Sequence, residues 1–287
     1  MSNPVLNERA LRKAASSWAP PQSGTAFGEP GYAVAKDRET PVSDGPISPW
    51  KAAMTVQGTI SATATLFVLL LASAAFGWIR TGGPEAVELG GGMVEYRYGI
   101  PALAWVGVVV GLVAAIALAF RPAWAKFLGP VYAIAQGFFV GAISRMYETY
   151  YDGIVVQAAG ATVAVFAVML VLYRTRIIKV TDRMRRIVIA ATMCVALFYG
   201  VALLIRLFAG AGSVSFLHSP SLLGIGFSIL VAGLAAFNLA LDFDFIERGA
   251  QSRLSKDFEW YAAFGLLVTV VWLYLEILRL LAKLRER

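Results

Sequence analysis

The chain has 287 residues, of which 58% are hydrophobic and only 15% are charged, and its mean hydropathy is +0.67. Soluble domains carry about 25% charged residues, so disorder, collagen, a coiled coil and a nucleic-acid-binding domain are excluded as the main architecture. The net charge of +7 fits a membrane protein, because cytoplasmic loops carry an excess of Lys and Arg. The composition therefore indicates an integral membrane protein whose surroundings are the lipid bilayer and which has no nucleic-acid partner.

Residues 1–49 differ in composition from the remainder of the chain. They hold seven of the twelve prolines, together with Gly, Ser and charges of both signs. Such a segment lacks the apolar residues needed to form a core. No apolar stretch with a small-residue cleavage site occurs near Met1, so a secretory signal is not predicted. We expect a disordered cytoplasmic tail over residues 1–49 and a membrane domain over residues 50–287.

Seven apolar runs follow the tail. A helix needs about 20 apolar residues to cross roughly 30 Å of hydrocarbon. Runs of that length cover residues 52–79, 100–120, 127–145, 154–173, 187–208, 221–241 and 259–281. The sequence therefore predicts an all-α integral membrane protein, folded as a bundle of seven transmembrane helices.

The basic residues between the runs predict the orientation. Residues 174–186 carry six Lys or Arg against Asp182 alone, so this loop should face the cytoplasm, and the N-terminus with it. After seven crossings, however, Lys283, Arg285 and Arg287 would lie outside. Either the rule fails at this end or the last segment re-enters the membrane; seven crossings are favoured because the seventh run is as apolar as the others. We predict a multi-pass protein of the cell membrane with a cytoplasmic N-terminus.

Residues that could support catalysis are scarce. The single histidine, His218, lies in a predicted loop, with no evident route to a nucleophile such as Ser144. Ser144 is better interpreted as a helix-packing residue. A retinal protein would need a lysine in the middle of a span, and the seventh run has none before Lys283. No cluster of Cys, His and carboxylates has metal-ligand spacing. The sequence predicts neither an enzyme nor a resident cofactor.

Acidic residues in the last two runs are the candidates for function. An ionised side chain at the centre of a membrane helix costs about 2.5–3.5 kcal/mol, so it needs a partner, water or a function. Asp242 and Asp244 lie at the end of the sixth run and Glu276 within the seventh. On a helix Asp242 and Asp244 point about 200° apart, so only one faces the interior. Asp242 is the preferred candidate, and for Asp244 a solvated helix end is the alternative.

Glu276 has two interpretations. Arg279 follows three residues later, so an intrahelical ion pair is one of them. The other is a proton or ion ligand, because Ca²⁺ prefers oxygen ligands, which makes Asp242 and Glu276 candidate ligands for transient Ca²⁺. Gln136 and Asn238 are interpreted as interhelical hydrogen-bonding residues or as polar lining of the ion pathway.

Three segments resemble one known family. They are YAIAQGFFVGAIS at 132–144, LDFDFI at 241–246 and LYLEILRLL at 273–281. In this order they are similar to the Bax inhibitor-1/YccA-like family, also called the transmembrane Bax-inhibitor-motif family, and above all to its bacterial members. The resemblance covers about residues 50–287. It implies a bundle of six helices around a central seventh and a pH-sensitive cation leak, chiefly of Ca²⁺.

The resemblance also implies a site. The family's pH sensor is a pair of aspartates from the sixth and seventh spans. Asp242 stands at the first position and Thr269 at the second, while Gln136 replaces an acidic residue common in the third span. Glu276 lies two turns beyond Thr269, on the same helix face. We predict that Asp242, with Glu276 or Asp244 as second acid, gates the leak through protonation, because burial and a like charge both favour the neutral carboxyl.

A function of another class is also implied. YccA-like members suggest a non-conducting regulator that binds another membrane protein, such as a quality-control protease. In that case the tail and the basic loop at residues 174–186 would carry recognition, and Asp242 would be structural. A water-accessible cavity that reaches Asp242 would favour conduction, whereas a dry bundle would favour the regulator.

Overall fold

The computed structural model describes residues 53–83, 85–88, 94–97, 101–209 and 221–287 of the chain. The helices in these ranges are α1 (Val56–Arg80), α2 (Ala102–Phe120), α3 (Ala125–Tyr150), α4 (Ile154–Arg174), α5 (Asp182–Ala209), α6 (Leu222–Gln251) and α7 (Asp257–Arg285). Seven helices are long and apolar enough to cross a membrane, which confirms the predicted fold class. The predicted disordered tail and His218 lie outside the described residues.

Short elements connect the first three helices. Strands β1 (Glu85–Glu88) and β2 (Val94–Arg97) pair antiparallel between α1 and α2, where the sequence predicted only a loop. A 3₁₀ turn, Pro122–Trp124, joins α2 to α3. Its proline stands at the start of the turn, where the missing N–H removes no internal hydrogen bond.

Helix α6 is longer than the sequence predicted. The apolar run ends at residue 241, but the helix continues to Gln251. Three charged residues of this extension, Asp244, Glu247 and Arg248, form ion pairs: Asp244 pairs with Arg248 and with Arg185, and Glu247 pairs with Arg176. Because these three charges are neutralised locally, the extension stays helical and packed although it is not apolar.

Glycines on α3 allow close packing against α1. A Cβ added at Gly141 would collide with the carbonyl oxygen of Ala74, and one at Gly137 would collide with that of Leu70. Small residues four apart let helix backbones approach in this way. The Gly137-xxx-Gly141 pattern is therefore a packing motif.

Helix α7 runs from one end of the bundle to the other. At its start, Glu259 accepts hydrogen bonds from the amide and the hydroxyl of Thr55, both at 2.9 Å. Near its end, Lys283 is buried and donates to the carbonyl of Gly224 and the hydroxyl of Ser228, again at 2.9 Å. A continuous helix of 29 residues argues for a crossing rather than a re-entrant segment.

The same helix packs against four others, α1, α3, α4 and α6, and helix α3 likewise packs against four, α1, α2, α4 and α7. The central position of the seventh helix therefore stays a prediction. Two of the terminal basic residues that conflict with the orientation rule are engaged there: Lys283 is buried, and Arg285 donates to Gln157 and to the carbonyl of Asp152.

Candidate functional site

Asp242 projects from α6 toward α7. A Cβ placed on Gly265 would lie 3.7 Å from Asp242 Oδ1, in ordinary van der Waals contact, so the carboxyl lies beside α7 at this residue. The hydroxyl of Thr269 lies within hydrogen-bonding reach of the Asp242 carboxyl. It is also 3.1 Å from the carbonyl oxygen of Gly265. The structure therefore brings together Asp242 and Thr269, the two residues that the sequence analysis placed at the positions of the expected pair.

The second oxygen of this carboxyl has no partner among the residues that the structure describes. Asp242 Oδ2 is buried and makes no hydrogen bond with any residue that the structure describes. Within the same ranges, no ion pair involves Asp242. Burying a carboxylate without a counter-ion is costly, so such a group favours a bound proton or cation.

Asp244 lies in a different environment, although it is only two residues away. Its Oδ2 accepts from Arg185 at 2.6 Å and its Oδ1 from Arg248 at 2.9 Å. The side chain is 9% exposed, so this carboxylate is neither solvated nor unpaired. The alternative of a solvated helix end is therefore wrong for Asp244, because α5 and the next turn of α6 each provide a guanidinium.

Glu276 is also held by an arginine. Arg279 Nη1 donates to its two carboxylate oxygens at 3.0 and 3.2 Å, and the hydroxyl of Tyr199 donates at 3.1 Å. The residue is 1% exposed, and Arg279 also donates to Tyr199 at 2.8 Å. The intrahelical ion pair is thus the observed geometry, extended by a tyrosine of α5 that the sequence analysis missed.

The proposed second acid therefore has no geometric support. No hydrogen bond joins Asp242 to Glu276 or Asp244 in the described ranges, since each of the latter two is paired with arginine. The pairing of Asp242 and Glu276 as Ca²⁺ ligands meets the same difficulty. Among the described residues, no three His, Cys, Asp or Glu side chains gather as a metal-binding group.

The remaining polar candidates connect helices. Asn238 of α6 donates to the hydroxyl of Thr192 on α5 at 2.8 Å. Gln136 of α3 packs against Gly111 of α2, where a Cβ would collide with its amide. Ser144 shares a 2.6 Å hydrogen bond with the hydroxyl of Tyr274 on α7. All three make the interhelical contacts that the packing interpretation predicts.

One set of polar residues was missed at the sequence level. Arg185, Thr192 and Tyr199 follow one another at intervals of seven residues along α5. They contact Asp244, Asn238 and the Glu276–Arg279 pair respectively. Residues seven apart lie on one helix face, so these three form a single stripe, which we call the α5 seam. A seven-residue repeat of polar side chains in an apolar run is the signal that could have revealed it.

Apolar residues complete the seam between its polar members. The most buried side chains of α5 are Val188, Val195 and Ala202, which are 5, 8 and 8% exposed. Most other apolar side chains of the helix face outward, with Leu197 at 68% and Met193 at 65% exposed. Helix α5 is therefore attached to the bundle along a narrow face that alternates polar bonds with small apolar contacts.

Sequence comparison agrees with this architecture. Residues 3–286 match the protein family described as Bax inhibitor 1 like. The match begins within the N-terminal tail, which the sequence analysis had placed outside the resemblance. Among curated proteins, none matches the chain significantly. Since the family match spans nearly the whole sequence and the seven-helix fold, the chain belongs to the Bax inhibitor-1-like family.

Proposed function

We propose that the protein is a pH-sensitive cation leak, with Ca²⁺ as a permeant ion and Asp242 as the group whose protonation gates it. The observation that carries this proposal is a contrast among three carboxylates. Asp244 and Glu276 are each neutralised by arginine, whereas Asp242 has no ion-pair partner in the described part of the chain. A proton or a cation therefore changes the local charge most at Asp242.

Thr269 takes the place of the family's second aspartate in this proposal. A hydroxyl can donate a hydrogen bond to a charged carboxylate and can accept one from a neutral carboxyl. Thr269 therefore suits both protonation states of Asp242, and its hydroxyl also has the Gly265 carbonyl as an acceptor at 3.1 Å. The sensor of this chain would be a single carboxyl with a neutral partner.

Ca²⁺ would be cargo rather than a resident cofactor. The ion takes six to eight oxygen ligands. Asp242 and Thr269 offer one carboxyl and one hydroxyl, so the remaining ligands would be water and backbone carbonyls. Such a site suits brief occupation during passage. The proposal assigns no catalytic residue and no enzymatic reaction.

Conduction requires the helices around Asp242 to open. A cavity of about 220 Å³ lies at the end of α6 and is lined by Asp244, but Asp242 does not line it. Asp242 is shielded from that cavity, so the arrangement corresponds to a closed path. A change in the charge of Asp242 would then shift the equilibrium between the closed and open conformations of the bundle.

The shielding of Asp242 also favours a second function. The chain would then be a non-conducting regulator that binds another membrane protein, such as a quality-control protease. The basic loop at residues 174–186 is available for such contacts, since Arg174 and Arg176 are exposed and Ile177 is 71% exposed. If the chain is such a regulator, Asp242 would have a structural role and no role in conduction.

Ca²⁺ flux from liposomes that contain the purified full chain, measured across a pH series, tests the proposal. We expect pH-dependent flux that becomes insensitive to pH in Asp242→Asn. The matched control is Asp257→Asn, which removes an exposed carboxyl from the first turn of α7 and should leave the response unchanged. Flux that keeps its pH dependence in Asp242→Asn overturns the site. Absence of flux at every pH overturns the leak and favours the regulator.

A further inference from the structure

We propose that the cavity between the α4–α5 loop and the end of α6 binds a phosphate group, from an anionic lipid headgroup or from free phosphate. The cavity has a volume of about 220 Å³, which accommodates a phosphate with its water. Its lining includes Arg176 and Lys179 from the loop and Arg248 from α6. This site involves neither Asp242 nor conduction. The proposal of a phosphate site can therefore be tested independently of the proposed leak.

The carboxylates in the cavity are already occupied. Both oxygens of Asp244 accept from arginines, one from Arg185 and one from Arg248. Glu247 accepts from the hydroxyl of Tyr173 through one oxygen and from Arg176 through the other. Each carboxylate oxygen already accepts a hydrogen bond, so the two carboxylates repel an anion in the cavity less than free carboxylates would.

Positive charge remains in excess after these pairs are counted. The cavity is lined by three cations and two anions, namely Arg176, Lys179 and Arg248 with Asp244 and Glu247. Arg185, which lies outside the lining, adds a further positive charge on Asp244. Each guanidinium carries five N–H donors, of which the carboxylates use only one or two. Lys179 is exposed and makes no hydrogen bond or ion pair with a residue that the structure describes. Charge-assisted donors of this kind are those that bind phosphate oxygens.

The backbone of Arg176 places its side chain at the cavity. Its φ is 59°, in the left-handed region. This is the left-handed ending of α4, in which the Ile178 amide donates to the Leu172 carbonyl at 3.1 Å, and Arg253 adopts the same conformation after α6. The turn brings the Arg176 side chain to the cavity.

The position of the cavity suits a lipid headgroup as well as free phosphate. It lies where α4 and α6 end, at the side of the bundle that the basic loop predicts to be cytoplasmic. Basic segments next to membrane spans attract anionic lipids. Ile177, between the two loop cations in sequence, is 71% exposed and could contact the acyl region. A phosphate-bearing headgroup could therefore enter from the membrane, and free phosphate from solution.

Two measurements on the purified full chain test the site. In the first, the protein is extracted from vesicles of phosphatidylcholine with phosphatidylglycerol, and the retained lipid is identified by native mass spectrometry. In the second, the apparent unfolding temperature is followed while inorganic phosphate is added, with chloride at the same ionic strength as the reference. We expect selective retention of phosphatidylglycerol, stabilisation by phosphate, or both. Retention alone identifies the lipid as the source, and stabilisation alone identifies free phosphate.

Variants separate the cavity from general surface charge. Lys179→Gln should weaken binding about tenfold, because it removes one charge-assisted contact without breaking an existing bond. Arg176→Gly should weaken binding at least as much, since glycine accepts the left-handed backbone, the guanidinium is lost and Glu247 loses its counter-ion in the cavity. Arg183→Gln is the matched control, because Arg183 is exposed near the start of α5 and does not line the cavity. Equal weakening by Lys179→Gln and Arg183→Gln, or no preference for phosphate in either measurement, overturns the proposal.

Discussion

Arg185 of α5 and Asp244 of α6 are joined by a 2.6 Å hydrogen bond between Nη2 and Oδ2. The carboxylate is 9% exposed and the guanidinium 37% exposed, so the bond lies at the boundary of the packed bundle. It is the first polar contact of the α5 seam, which continues at Thr192 and Tyr199. Because α5 offers only a narrow apolar face, these polar contacts fix its position along α6 and α7.

Loss of the Asp244 charge should destabilise the bundle more than loss of Arg185. Asp244→Asn leaves two guanidinium groups without their shared counter-ion and should lower the free energy of unfolding by about 1–3 kcal/mol. Arg185→Gln should cost less, because Arg248 still pairs with the carboxylate at 2.9 Å. Unfolding in detergent measures both, with Arg183→Gln as the exposed control. Equal costs for the two variants would show that Asp244 is not the shared anchor.

Glu276 should matter for stability and not for pH sensing. Glu276→Gln removes the counter-ion of Arg279 at a position that is 1% exposed, and breaking a buried ion pair typically costs about 3–5 kcal/mol. Because Arg279 is partly exposed, we expect a cost toward the lower end of this range. The double variant Glu276→Gln with Arg279→Gln should be less destabilised than the sum of the singles.

The same variants separate the two carboxylates by function. Flux through Glu276→Gln, measured at a temperature where it stays folded, should keep its pH dependence. Flux through Asp242→Asn should not. A pH response that disappears in Glu276→Gln would restore Glu276 as the second acid of the sensor.

Thr269 should set the pH at which the leak responds. A hydrogen bond to a charged group is stronger than one to a neutral group, so the hydroxyl favours the charged form of Asp242 and Thr269→Val should favour the neutral form. The two kinds of bond differ by about 1 kcal/mol, and about 1.4 kcal/mol corresponds to one pH unit. The midpoint of the flux response should therefore move toward higher pH, by less than about one unit. Thr269→Ser keeps the hydroxyl and should respond like the natural chain; a shift in both variants would indicate a packing effect.

The sequence allowed the spans to be predicted, because apolar runs show directly where helices can cross. The resemblance to the family pointed to positions 242 and 269, and these two residues lie next to each other in the structure. The partners of Asp244 could not be derived in the same way. Arg185 lies 59 residues before Asp244 in the chain, in the basic segment at residues 174–186. In the sequence analysis its charge was interpreted only as an orientation signal. Local spacing identifies pairs such as Glu276 with Arg279, but a contact between helices depends on their packing.

Lys283 illustrates the same limit at the other end of α7. As a terminal basic residue it was considered only as an orientation signal, yet it is 3% exposed and bonded to the start of α6. A long side chain can reach back along a helix end and satisfy a carbonyl there. Nothing in the local sequence separates such a lysine from a solvated one.

Close contact between α1 and α3 should tolerate no added methyl group. Gly141→Ala would force its Cβ against the carbonyl oxygen of Ala74, so the helices must separate and lose packing along their length. Overpacking of this kind typically costs about 1–3 kcal/mol. Gly160→Ala on α4 is the matched control, because nothing lies within 4 Å of a Cβ at that position.

The control variant, Gly160→Ala, should not lower the stability of the protein. Alanine is favoured over glycine within a helix by about 1 kcal/mol, so Gly160→Ala should be neutral or slightly stabilising. Apparent unfolding temperatures in detergent compare the two variants directly. If Gly141→Ala is as stable as Gly160→Ala, α1 and α3 do not meet backbone to backbone, and the glycine pair has no role in packing.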